Sequence, residues 1–236
     1  PNGRLLIAIE NQYGLKYWCG AKEDHTGLPF EGMNQYTISS KKVRTFSHKG
    51  LQKLITQSGF SNTFFYYPMP DYKLPAVVYS EACLPKDKNM LNMQYYYVPD
   101  NSTLVAQEKN IYGDIMDNGV FGFFANSFMV ECSDGEALGE ITFASMSSRR
   151  FPEYQVGTRF AKSGQVTKFA LAGEAGRRHL EETYENERAL EKRGYMSGRV
   201  DGRKRSWFPP MPRHRLWRKS CWRCITAKTR QIFMPC

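Results

Sequence analysis

The net charge of +10 on this 236-residue chain is confined to its end. From Gly194 to Cys236 there are 11 Lys and Arg against the single acid Asp201, whereas residues 1 to 193 hold 22 basic and 22 acidic groups. The end segment also holds Trp207, Trp217 and Trp222, three of the six cysteines and four of the prolines, with no apolar period along it. A segment without a 3.6- or 2-residue repeat has no continuous face to bury. A packed core is therefore expected from residues 1–193 alone, and residues 194–236 read as a basic, Trp- and Cys-rich tail, either disordered or the product of out-of-frame reading.

A hydrophobic content of 41% supports a core of useful size. The apolar run Val120–Val130 is interrupted by Gly122, Asn126 and Ser127 and falls well short of the ~20 residues that span a bilayer. Pro1-Asn2-Gly3-Arg4 leads directly into Leu5–Ile9 without the charged and small-residue flanks of a signal peptide. This start reads as a fragment that begins inside a domain. Cys19, Cys83 and Cys132 lie singly at unrelated spacings, as expected of buried free thiols in a reducing compartment. The expected location is cytoplasmic, or peripheral at the inner face of a membrane.

Arg4–Ile9 is short, aliphatic and partly β-branched, which predicts a strand buried on both faces of a parallel sheet. It ends in Glu10 and Asn11. Open α/β sheets place ligands at the carboxyl ends of such strands, so both are site candidates, although a solvated strand-end turn fits the same residues. Residues 12–42 have no sustained period and predict a long ordered loop. Ser47 as N-cap, the apolar positions Leu51, Leu54 and Ile55, and the stop at Gly59 predict a helix. Ser61–Tyr67 reads as a strand broken by Pro68 and Pro70, and Pro75–Tyr79 as a second extended stretch. Tyr66 to Tyr72 forms an aromatic–proline turn around Asp71, suited to stacking a sugar or to packing for stability. Residues 85–118 read as irregular and Val120–Cys132 as a closing strand. Strands at Ile141–Ser145, Tyr154–Lys162 and Val166–Leu171, then a helix over Glu174–Lys192, predict a second, α+β domain after residue 133.

The run Pro1-Asn2-Gly3-Arg4-Leu5-Leu6-Ile7-Ala8-Ile9-Glu10-Asn11 resembles the proline–glycine turn and fifth strand of class I S-adenosylmethionine-dependent methyltransferases. The likeness extends through Gly14-Leu15-Lys16-Tyr17, Glu23-Asp24-His25-Thr26-Gly27, Phe30-Glu31-Gly32, Val43-Arg44-Thr45-Phe46-Ser47, Ser58-Gly59-Phe60 and Tyr67-Pro68-Met69-Pro70-Asp71-Tyr72-Lys73-Leu74-Pro75. In this order the motifs are similar to methyltransferases encoded with bacterial cell-surface polysaccharide genes. The resemblance covers residues 1–133 and implies strands five to seven of a Rossmann-like sheet, with S-adenosyl-L-methionine held mainly by motifs upstream of Pro1. It implies an acceptor that is a glycan or sugar-phosphate, with other glycan-assembly enzymes as further partners. Under it, His25 is the candidate general base, since an imidazole titrates near neutrality. Asp24 would orient it, while Glu10, Asn11, Tyr17, Arg44 and Asp71 would bind substrate. A His that only folds its loop, and an Arg in a surface ion pair, fit the same positions.

Residues 140–192 are similar in outline to the small lobe of a kinase-like fold. Lys168 with Glu185 or Glu187 would then form the ion pair that positions phosphates. The phosphate-covering glycine loop, the catalytic loop and the magnesium-binding motifs of that fold are not visible. Two rival readings are a nucleic-acid-binding protein, resting on the basic tail and its interleaved Trp, and a catalytically inactive interaction module. Cys221-Trp222-Arg223-Cys224 is a lone pair with only Cys236 and His214 as further candidate ligands, too irregular a set for zinc. No metal is expected.

Overall fold

A computed structural model describes residues 3–39, 42–86, 105–135, 137–147 and 149–194. The chain divides into two compact units, Pro1–Gly139 and Glu140–Cys236, close to the boundary expected after residue 133. The tail from residue 195, with its Trp and Cys residues, lies outside the described residues, as does the Tyr95–Tyr97 cluster. No helix among the described residues is long and apolar enough to cross a membrane.

The first unit is a mixed α/β structure. Its strands are β1 (Arg4–Glu10), β2 (Asn62–Met69), β3 (Val77–Ser80) and β4 (Ser127–Ser133), in the spatial order β1-β4-β2-β3. Every ladder is antiparallel. Because β1 and β2 both oppose β4, they run parallel to each other with β4 between them. Its helices are α1 (Leu15–Trp18), α2 (His48–Gln57), α3 (Glu108–Asp117) and α4 (Phe121–Phe124).

β4 occupies the centre because its alternate residues Phe128, Val130 and Cys132 are fully buried, the period-2 pattern of a strand with one face on a core. Across from them, Phe65 packs edge-on to Phe128, and the His48 ring at the start of α2 sits 3.8 Å from that of Phe65. Tyr67, Tyr79 and Tyr112 surround Phe121 with ring centroids 5.9 to 6.1 Å apart. These aromatic rings form the core between the sheet and its helices. α2 begins as expected: the Ser47 hydroxyl accepts from the Gly50 N–H, and Gly59 turns the chain away at φ 99°. Leu51 and Ile55 are buried, whereas Leu54 is left exposed.

Five expectations are corrected. β1 is not a strand buried on both faces: Leu5 and Leu6 are exposed, and among the described residues its ladder is to β4 alone. Residues 85–118 are not wholly irregular, since α3 buries Glu108, Tyr112 and Ile115 at helical spacing. The stretch expected as one strand over Val120–Cys132 is a helical turn followed by β4, divided at Asn126. Pro68 does not end β2, whose register continues to Met69 opposite Val77. Of the three cysteines read as free, Cys19 and Cys132 are free and buried, while Cys83 is disulfide-bonded.

The second unit holds β5 (Ile141–Met146), β6 (Val156–Ala161) and β7 (Val166–Ala170), joined as antiparallel neighbours in that order, and α5 (Gly173–Lys192). The β6–β7 turn at Ser163-Gly164-Gln165 is a hairpin with Gly164 at φ 84°. Gly157 on β6 lies under the Phe169 ring, which a Cβ would meet at 2.2 Å. This unit follows the sequence reading almost residue for residue.

Candidate functional site

The carboxyl end of β1 carries a cluster of charged groups that the fold draws from four parts of the chain. Glu10 ends the strand and is 3% exposed. Gly14 then turns the chain into α1 against the α4–β4 link. A Cβ at Gly14 would stand 3.0 Å from the Asn126 Cα and 3.2 Å from two backbone oxygens, so glycine allows this approach without displacing the link. The approach points Lys16 and Tyr17 inward.

Lys16 is buried, and its ammonium lies 2.7 Å from Asp24 Oδ2. The Tyr17 hydroxyl donates to the same oxygen. Asp24 Oδ1 faces the Lys73 ammonium at 3.3 Å, and that ammonium also donates to Glu10 Oε1. Tyr72 adds a hydrogen bond to Glu10. Burial pushes the Asp24 carboxyl up, but Lys16, Tyr17 and Lys73 together outweigh it and hold the group below the usual carboxylate range. Burial lowers the Lys73 ammonium, whereas Glu10 and Asp24 raise it further, so it stays charged. The side chain of Lys73 is 49% exposed, against 3% for that of Lys16. Lys73 is thus the face that the cluster turns to solvent.

Behind this layer lies Glu108, 6% exposed at the start of α3. It accepts from Asn126 Nδ2 at 2.7 Å and from the Tyr112 hydroxyl at 3.2 Å. Burial is the dominant influence and raises its carboxyl to about 7. Asn126 in turn accepts from the Lys16 backbone N–H at 2.9 Å and couples Glu108 to the Lys16 segment.

The sequence candidates separate into two groups. Glu10, Asp24 and Tyr17 meet in the cluster. Asn11 is committed to scaffold: its amide donates to the Phe123 and Ala125 carbonyls at 2.7 Å each and its oxygen accepts from Tyr13 N–H. Asp71 is buried and caps its own turn by accepting from the Lys73 N–H at 2.7 Å, which sets Lys73 in place. Arg44 is exposed, with its guanidinium 5.6 Å from the Tyr36 ring centroid. His25 is half-buried, and Glu23 shapes its loop by accepting from the His25 and Thr26 N–H groups at 2.9 and 2.7 Å. Lys16, Lys73, Glu108 and Asn126 were missed. The pairing of Lys16 with Asp24 carries no local signal, because the two are joined only when the loop folds back.

In the second unit, Lys168 and Glu187, the expected ion pair, do interact electrostatically across β7 and α5. No group of three or more His, Cys, Asp and Glu among the described residues is placed to hold a metal ion.

Together these features define a mixed α/β protein with a charge-lined cluster at the end of its first strand, an arrangement suited to binding a polar or ionic ligand. No family model, curated protein or solved structure matches the chain.

Proposed function

We propose that the first unit forms the acceptor side of an S-adenosylmethionine-dependent methyltransferase that acts on a sugar or sugar-phosphate in cell-surface polysaccharide synthesis. The observation that carries this reading is the convergence of Glu10, Asp24, Lys16, Tyr17 and Lys73 at the end of β1. These groups are those of the strand-end and Gly-Leu-Lys-Tyr, Glu-Asp-His-Thr-Gly and Asp-Tyr-Lys motifs on which the resemblance rests. The placement of β4 antiparallel between the parallel strands β1 and β2 supports reading them as strands five, seven and six of the larger sheet.

S-adenosylmethionine would supply a methyl group on a sulfonium. The described residues include no glycine-rich turn from strand to helix that could cradle it, so the work of this chain is on the acceptor. The half-exposed Lys73 ammonium is suited to an acceptor hydroxyl or phosphate. Asp24, held ionised by Lys16, is a poor proton acceptor. The base in this reading is His25, next to Asp24 on the same loop.

The test is transfer of labelled methyl from S-adenosylmethionine to sugar and sugar-phosphate acceptors by this unit joined to the cofactor-binding half that the resemblance implies. His25→Ala should lower turnover by ~100-fold or more. A loss below about tenfold would remove the base role. Absence of labelled product from every acceptor would remove the methyltransferase reading.

A further inference from the structure

The aromatic–proline turn around Asp71 buries Tyr66 and Tyr67, so their rings offer no stacking surface. Exposed rings gather elsewhere, in a ridge built from the α1 segment and α4. Trp18 meets Phe124 in a T-shaped contact with ring centroids 6.2 Å apart, Phe124 lies 4.9 Å from Phe123, and Phe123 stacks on Tyr13 at 5.1 Å with an interplanar angle of 13°. Trp18 and Phe123 are each 47% exposed, and Tyr13 and Phe124 are half-buried. Single exposed rings are ordinary, but a contiguous exposed patch marks an interaction surface.

The ridge is held from below. Tyr17 and Cys19 flank Trp18 and are buried, and Phe121 anchors α4 in the core. Asn11 joins the two parts: its amide donates to the Phe123 carbonyl, and its oxygen accepts from the Tyr13 N–H. Gly122 lets α4 sit close on Tyr67, since a Cβ there would meet the Tyr67 hydroxyl at 2.9 Å. The rings are therefore placed before any ligand arrives, which lowers the ordering cost of binding.

The charge around the ridge narrows its partner. Residues 11–20 and 120–127, which carry it, contain one charged side chain, Lys16, and that is buried against Asp24. Anionic lipid surfaces and nucleic acids are held by exposed Lys and Arg beside the aromatic rings, and these two segments offer none. A neutral sugar chain suits such a surface: the C–H groups on the face of a pyranose ring carry a small positive charge and lie against the negative face of an aromatic ring.

We infer that this ridge binds a neutral stretch of glycan, with one pyranose ring on Trp18 and another on the Tyr13–Phe123 pair. The segment from Glu10 to Trp18 carries both the ridge and three members of the charged cluster, Glu10, Lys16 and Tyr17. The ridge is thereby the holding surface for the acceptor chain behind its reacting sugar, and this last step alone rests on the methyltransferase reading.

The experiment is calorimetric titration of the full chain with glucose, maltohexaose, cellohexaose and chitohexaose. At least one hexasaccharide should bind about tenfold more tightly than glucose, because two platforms engage one chain. Trp18→Leu, which keeps apolar area without a ring, should weaken that ligand about fivefold or more, while Trp18→Tyr should keep most of the affinity. Both changes lie at an exposed position and should leave the melting temperature in place. Wild-type affinity in Trp18→Leu, or no binding of any hexasaccharide, would overturn the inference. So would a dimer in sedimentation that Trp18→Leu dissociates, or adsorption to phosphatidylcholine vesicles that Trp18→Leu abolishes, since a second copy or lipid would then cover the ridge. Glycan binding without methyl transfer removes the methyltransferase reading alone, and methyl transfer without hexasaccharide binding removes this inference alone.

Discussion

Lys16 and Asp24 form an ion pair of 2.7 Å in which the lysine side chain is 3% exposed and the aspartate 27%. Such a pair ties the Asp24 loop to α1 through a buried ammonium. Lys16→Met should therefore destabilise the unit by about 1 to 3 kcal/mol, measured by urea denaturation, because it leaves the carboxylate with Tyr17 and the more distant Lys73 alone. The double variant with Asp24→Asn should recover part of that loss, and a double variant no more stable than the single would show that the pair has no such role.

Glu108 makes stability depend on pH. Its carboxyl is raised from 4.5 to about 7 in the folded chain, so the native state holds a proton that the unfolded state releases. The resulting stabilisation is complete below about pH 4.5 and is lost as the pH rises toward 7, a change on the order of 3 kcal/mol. Glu108→Gln keeps the hydrogen-bonding shape without the charge and should raise the unfolding free energy at pH 8 relative to wild type. An unchanged difference between the two proteins from pH 5 to pH 8 would contradict this.

His48 acts in the opposite sense. Burial against Phe65, assisted by Lys49, lowers its imidazole from the usual range. The native state then binds fewer protons than the unfolded one, so its contribution is present above the ordinary histidine value of about 6.5 and is lost as the pH falls. His48→Phe should flatten the acid limb of the stability profile, as followed by circular dichroism during urea titrations at successive pH values.

Gly14 tests the approach of α1 to the α4–β4 link. Gly14→Ala places a methyl 3.0 Å from the Asn126 Cα and should cost about 1 to 3 kcal/mol through overpacking. The displaced Lys16 N–H would loosen its bond to Asn126, so amide exchange at Lys16 should accelerate more than at Leu51 in α2.

Phe128 is fully buried and touches His48, Phe65 and Tyr67. Phe128→Ala should lower stability by about 3 to 5 kcal/mol. Calorimetric unfolding would show the loss in the first unit, while the transition of the second unit stays in place.

The sequence by itself determined the elements whose signals are local. The α2 cap at Ser47, its Gly59 stop, the hairpin at Gly164 and the span of α5 all depend on neighbours within a few residues. It also singled out Glu10 as a polar strand end, while Asp24 and Tyr17 were candidates through the family resemblance of their motifs. The tertiary structure decided the rest. β1 reads as doubly buried from composition, yet burial is a property of the neighbours a strand acquires, and here its ladder is to β4. Lys73 meets Glu10 across 63 positions of sequence, and Asn126 meets Lys16 across 110. Glu108 reads as an ordinary surface acid until α3 packs it against Tyr112 and Asn126. A charge is recognised as functional by its desolvation and its partners, and both come from chain segments that only folding brings together.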